Sequence, residues 1–285
     1  MRIQQGATQQ PPLRRGACAL PGYHVLGLLH RGRDADVYDA WSDERGARCT
    51  LKLLRVERLT DRGARASLLR EGRLLRRLTH PHIVRAYAVV TGARPAIVLE
   101  TLSGATLEHA IQRRPLAQAD LVWLALQTSS AISYLHRQGY LHRDLKASNI
   151  TIDCGIARVL DLNIARPPGH ARAGIGTRHY LAPEQARGGP LTSAADVWGI
   201  GMVCYEAAAG RLPFEFTRDG PEFPQLLARA APVRSVRRLD LRLAEIIDAC
   251  LEPEPERRPT PEDLLAALLM LAGSGPWTSR FGRSE

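Results

Sequence analysis

The apolar residues of this 285-residue chain change their spacing near Gly104, and that change limits the folds open to it. Before it, short apolar runs (YHVLGLLH from Tyr23, ADVYDAW from Ala35, CTLKLLR from Cys49) are broken by Gly and charge, as strands joined by turns are. SDERGA between the second and third runs signals a hairpin, so three antiparallel strands are expected over 23–55. IVRAYAVV and PAIVLETL read as two more. One helix is expected among them over 62–78, where Leu68, Leu69, Leu74, Leu75 and Leu78 fall near helical spacing and His80-Pro81 ends the run. After Gly104 the spacing is helical. Leu121, Leu124, Thr128, Ala131, Ile132 and Leu135 share one face, with no Gly or Pro from 116 to 138. Further helices are expected over 194–209, 242–251 and 261–271, the last with Thr260 as N-cap and Pro261 at the first helical position.

The expected fold class is therefore α+β, with a small antiparallel β-rich lobe over 21–100 and a larger, mainly helical lobe over 103–272. Residues 1–20, rich in Gln, Pro, Gly and Arg, are expected to be a flexible arm, and 273–285 a flexible tail. No apolar run approaches the ~18–20 residues of a membrane helix, and the N-terminal stretch has no continuous apolar core of the kind a signal peptide carries. Cysteines at 18, 49, 154, 204 and 250 form no CxxC and are odd in number, which argues against a disulfide framework or a zinc knuckle. A cytoplasmic protein with mostly buried thiols is the expectation.

The net charge of +10 raises the question of nucleic acid, but the basic residues run through the whole chain and aromatics are only 5%, leaving few stacking platforms. The choice of cation is more informative. Lys52 and Lys146 are the only lysines among 39 basic residues. A chain that uses the broad guanidinium fork everywhere else has kept the slim ammonium at two places, as two confined sites would require.

Lys146 lies in LHRDLKASNI, residues 141–150, which resembles the catalytic loop H-R-D-L-K-x-x-N of eukaryotic-type protein kinases. Companion motifs follow in that family's order from Gly32 to Arg258, so the resemblance implies a bilobal protein-kinase fold over 21–272, ATP as phosphoryl donor and a protein substrate. It implies that Lys52 of CTLK contacts the α- and β-phosphates and pairs with Glu71 of the 62–78 helix. It also implies that Asp144 takes the proton of the substrate hydroxyl, that Lys146 steadies the γ-phosphate charge, and that Asn149 and Asp161 hold Mg²⁺, with Mn²⁺ as the alternative ion. Ala182-Pro183-Glu184 matches the family's A-P-E, and a buried Glu184–Arg258 ion pair is implied, with Asp196 tying down the catalytic-loop backbone. Lys146, Gly176-Thr177 and YLAPEQ resemble the bacterial serine/threonine branch.

Where the resemblance weakens, the chemistry changes in kind. The glycine-rich loop keeps only Gly32 of its three glycines, with Val37 at its end, so a stiffer loop and weakened nucleotide binding are implied. The adenine pocket would carry Thr50 and Thr151 in place of apolar residues, beside Leu99 as gatekeeper and Glu100 and Leu102 along the hinge. Asp161-Leu162-Asn163 replaces D-F-G, with Asn163 as the residue tolerant of positive φ. Between 162 and 183 there are Arg166, Arg172, Arg178, His170 and His179 but no acid, and Thr106 and Ser148 stand where basophilic relatives carry Glu, so an acidic protein substrate is implied. Thr177 is the one Ser or Thr between 161 and 184, and activity without phosphorylation of this segment is expected. The alternatives are a pseudokinase acting as a nucleotide-binding or scaffold module, and a nucleic-acid-binding protein that reuses the fold.

Overall fold

The structure, a computed structural model, describes residues 10–274. Residues 1–9 of the expected arm and 275–285 of the expected tail lie outside the described residues. The described chain divides into two compact units, one running to Thr79 and including Val84–Leu102, the other made of His80–Ile83 and the residues from Ser103 onward. Strand-rich and helix-rich segments separate as the change in apolar period predicts.

In the first unit β1 (Cys18–Leu20), β2 (Tyr23–Arg31), β3 (Ala35–Ser42), β4 (Ala47–Leu54), β5 (Ala86–Val90) and β6 (Ala96–Leu99) form one antiparallel sheet in the order β1-β2-β3-β4-β6-β5. Alternation places Tyr38, Leu51, Leu53 and Val98 on a fully buried face. Helix α1 (Arg62–Arg77) lies against β5, β6 and β4, capped by Asp61, whose carboxylate accepts from the Gly63 and Ala64 amides. The described part of the expected arm is not an arm. β1 pairs with β2, the Leu13 amide donates to the Tyr38 hydroxyl at 3.0 Å, and Leu13 and Ala19 pack on the buried face of the sheet. The run Ala17–Leu20 is too short to show a period, yet it pairs with β2 and packs Ala19 and Leu20 on the sheet.

The second unit holds β7 (Ala105–Thr106), α2 (Leu107–Arg113), α3 (Gln118–Arg137), β8 (Ile150–Asp153), β9 (Ile156–Val159), β10 (Gly169–Ala171), α4 (Pro183–Arg187), β11 (Gly189–Leu191), α5 (Ala194–Ala209), α6 (Leu241–Cys250) and α7 (Pro261–Ser274). Helix α3 spans about 30 Å and packs on α5, α7 and β9. Gln127 from its middle braces the β8–β9 hairpin, donating to the Gly155 carbonyl at 2.9 Å and accepting from the Ala157 amide at 2.6 Å. Helix α5 is buried along most of its length and carries Asp196 in its first turn. Thr260 caps α7 as the sequence indicates, and Gly273 and Ser274, expected in the tail, extend that helix. Cys49, Cys204 and Cys250 are buried, and all five thiols are free. Among the described residues no helix is long and apolar enough to cross a membrane.

Candidate active site

The catalytic-loop segment is fixed by bonds to its own backbone. Leu141 exchanges both backbone hydrogen bonds with Arg166, and the next two amides, of His142 and Arg143, each donate to Asp196 at 2.7 Å. His136 reaches the same carboxylate at 2.8 Å. Asp196 is buried, which pushes its pKa up. Its bond from His136, the His136 and His142 rings and the Arg143 amide more than offset that and leave it below the ordinary carboxylate value. The anchored backbone turns through left-handed space at Arg143, φ 69°, which a β-carbon makes unfavourable. Gln185 Nε2 donates to the Arg143 carbonyl at 2.8 Å, and Arg143 Nη2 donates to the Pro167 carbonyl at 2.6 Å. Sequence reading missed Gln185; its only signal was its place directly after A-P-E.

Asp144, Lys146 and Thr177 close a ring. The Thr177 hydroxyl donates to Asp144 Oδ1 at 2.6 Å and accepts from Lys146 Nζ at 2.7 Å, while Nζ lies 3.2 Å from Asp144 Oδ2. Gly176 must precede Thr177. Its φ is 131°, and a β-carbon there would lie 2.6 Å from Leu181 Cδ2 and 3.0 Å from the Arg143 carbonyl oxygen. Asn149 ends a short helical turn, Ala147–Asn149, and its Nδ2 donates to the Asp144 carbonyl at 2.9 Å. That bond fixes the amide's orientation and directs Oδ1 elsewhere as an acceptor. The Leu160 amide donates to the Asn149 carbonyl, which holds Asp161 one residue beyond that contact.

Asp161 itself is left-handed, φ 47°, and its Oδ1 accepts from the Asn163 amide at 3.0 Å. This corrects the expectation that Asn163 takes the positive φ. The short turn closed by the Asp161 side chain puts the strain on Asp161, and Asn163 is not among the positive-φ residues. Thr151 lies buried on β8, opposite Thr106 and Arg158. Asp144, Lys146, Asn149, Thr151 and Asp161 thus all belong to the second unit. Further along, Glu184 and Arg258 pair bidentately at 2.7 and 2.9 Å, with Arg258 also donating to the carbonyls of Ala194, Glu252 and Pro253.

The first unit carries the other expected residues. Val37 lies opposite Lys52, and Thr50 opposite Leu99, so Val37, Thr50, Lys52 and Leu99 share one face of the sheet and are half-buried. Lys52 Nζ donates to both carboxylate oxygens of Glu71, at 2.8 and 2.9 Å, and the Glu71 side chain is almost fully buried. The Glu100 amide and carboxylate are both bonded to the Arg85 backbone, and Leu102 is half-buried at the end of the unit.

Gly32 is required by the turn itself. Its amide donates to the Ala35 carbonyl at 3.0 Å, and a β-carbon would lie 2.7 Å from that oxygen. The tight β2–β3 turn therefore uses the Gly32 amide. Arg55 donates to the Gly32 carbonyl at 3.1 Å, and Arg58 pairs with Asp34 at 2.8 Å, so the turn is pinned from outside. Nothing local signalled Arg55, 23 residues away.

No group of three or more His, Cys, Asp or Glu among the described residues is arranged to hold a metal ion. The oxygen donors Asn149 and Asp161 fit a hard cation that takes one or two protein ligands and completes its shell with water and phosphate.

Comparison with known proteins agrees with this geometry. The protein kinase domain family matches residues 23–270. The serine/threonine-protein kinase PkaA of Streptomyces coelicolor is 33% identical, over 92% of this chain and 49% of its own. The DNA damage-responsive serine/threonine-protein kinase RqkA of Deinococcus radiodurans is 30% identical, over 94% of this chain and 42% of its own. A putative CBL-interacting protein kinase 13 of Oryza sativa is 31% identical, over 93% of this chain and 53% of its own. The chain spans about half the length of these relatives. With ordered motifs, a matching family over most of its length and relatives at this identity, the chain belongs to the protein kinase domain family.

Proposed function

We propose that this chain is a serine/threonine protein kinase that transfers the γ-phosphoryl group of ATP to a protein hydroxyl with Mg²⁺ as cofactor. The ring of Asp144, Lys146 and Thr177 carries the reading, because it places an acceptor for a hydroxyl proton beside a cation for phosphate charge. Mg²⁺, when bound, would offset the charge of the phosphate groups. Asn149 Oδ1 and the Asp161 carboxylate are the residues that would hold it. The substrate oxygen forms a bond to the γ-phosphorus as the bond to the β-phosphate oxygen breaks. Asp144 takes the hydroxyl proton, and ADP leaves. Lys146, slim enough to bond Thr177 and Asp144 together, stabilises the transferring group. Lys52, held by Glu71, supplies charge to the α- and β-phosphates.

The segment between Asp161 and Glu184 is held by contacts of its own: the β10–β11 ladder, the Arg143–Pro167 bond and the Gly174 amide on the Gln185 carbonyl. These support activity without a phosphate on that segment. Its arginines, without any acid, favour acidic protein substrates. The free thiols suit a reducing cytoplasm.

The test uses two serine peptides of equal length, one flanked by Glu and one by Arg, with labelled ATP and Mg²⁺ or Mn²⁺. Transfer to serine, at least tenfold faster in the Glu-flanked peptide, is expected. Preference for the Arg-flanked peptide would refute the acidic specificity. If neither peptide is labelled and ATP is not hydrolysed, the scaffold reading takes the place of catalysis.

A further inference from the structure

Helix α1 holds six arginines in sixteen residues, and its single acid, Glu71, is turned inward onto Lys52. At about 100° per residue, Arg62, Arg70, Arg73, Arg76 and Arg77 fall within about 120° of arc on the face opposite Glu71. All five are exposed, and none has a carboxylate partner among the described residues. Arg70 touches only the Ser67 hydroxyl, at 3.3 Å, while Arg65, at the edge of the row, is tied to the Thr91 and Gly92 carbonyls.

Arg76 and Arg77 in the last turn complement the helix dipole, but the rest of the row opposes the helix that bears it. Like charges three and four residues apart repel, and a cation in the first turn meets the positive end of the helix dipole. Some other arginines of this unit are paired, Arg48 with Asp39 and Arg58 with Asp34 and Asp61. What sets the α1 face apart is five exposed guanidinium groups side by side on one helix.

We propose that this face of α1 is a docking surface for an acidic segment of a partner protein. From Arg62 to Arg77 the row extends about 22 Å, the length of a short helix or strand. Guanidinium forks match carboxylates two bonds at a time. Helix α1 contains no aromatic ring on which a nucleic-acid base could stack, which favours a polypeptide over a single-stranded nucleic acid. A partner gripping this face also holds the helix that presents Glu71 to Lys52, so docking steadies that ion pair. The inference is independent of the proposed catalysis, since binding needs no nucleotide.

The test measures fluorescence anisotropy of a labelled twenty-residue Glu-rich peptide with the full chain, without ATP. The variant Arg62→Gln/Arg70→Gln/Arg73→Gln/Arg77→Gln is compared with a charge-matched control, Arg113→Gln/Arg218→Gln/Arg234→Gln/Arg242→Gln, whose arginines are exposed in the other unit. Melting curves confirm that both fold, and losing the repulsion should leave the α1 variant at least as stable as its parent. Binding weakened at least tenfold in the α1 variant and unchanged in the control is expected, with slower hydrogen exchange of α1 amides when peptide is bound. Equal loss in both variants, or no binding by the unaltered chain, would overturn the proposal. So would α1-dependent binding of duplex DNA or of phosphatidylserine vesicles that exceeds binding of the peptide.

Discussion

Replacing Asp196 by Asn tests how the second unit holds its catalytic loop. Both carboxylate oxygens are in use: Oδ1 by the Arg143 amide, Oδ2 by the His142 amide and the His136 ring. In an asparagine one of these positions becomes an NH₂ that faces another N–H, whichever way the amide turns. One or two charge-assisted hydrogen bonds of about 1.5–3 kcal/mol each are lost, and a donor is left buried without an acceptor. The expected destabilisation is about 3–5 kcal/mol. The same bonds hold Arg143 in left-handed backbone at φ 69°, a conformation costing about 1–3 kcal/mol that relaxes when they go. Asp144 follows directly, so activity should fall more steeply than the folded fraction does. Urea unfolding at constant slope gives the stability loss, and kcat with folded protein in excess of 95% gives the catalytic one. A loss below about 1 kcal/mol, the range of an exposed pair, together with unchanged kcat would refute the reasoning.

Arg258→Met strands the Glu184 carboxylate and three backbone carbonyls in a place where the arginine side chain is fully buried. Urea unfolding should show a loss of about 3–5 kcal/mol, with Glu184→Gln costing less because Arg258 keeps its carbonyl acceptors. Lys146→Arg should lower kcat at least tenfold, about 1.4 kcal/mol, without changing the melting temperature, because a planar fork cannot take the ammonium's place between Thr177 and Asp144. For pH, burial pushes the His80 and His82 rings below the ordinary histidine value. The unfolded chain then binds more protons than the folded one as pH falls through that ordinary value, so stability present above about pH 6.5 is lost on acidification. Melting temperature should fall between pH 7 and pH 5.5, and less so in His82→Gln.

What the sequence made legible depended on period and on contact distance. Helices α1, α3 and α5 lie where apolar spacing puts them, because each buries a continuous stripe or a whole surface. Strands β1, β10 and β11, of three residues each, are too short to carry a period; β1 is placed by Tyr23 and His24 of β2, and β10 and β11 by each other. Lys52 and Lys146 were visible as chemical exceptions before any fold was known. The left-handed backbone at Asp161 was not, because it follows from the side chain's own bond to the Asn163 amide, and the sequence offered Asn163 as the more tolerant residue. The pinning of Gly32 by Arg55 likewise depends on a contact between residues 23 apart in sequence.

Asp144, Lys146, Asn149 and Asp161 are proposed to form a working phosphoryl-transfer site. Its most direct measurement is ATP hydrolysis without added protein substrate, in Mg²⁺ and in chelator, by the unaltered chain and by Asp161→Ala. Slow, Mg²⁺-dependent turnover that the substitution abolishes while the fold survives is expected. Turnover that persists in Asp161→Ala, or none in the folded unaltered chain, would contradict it.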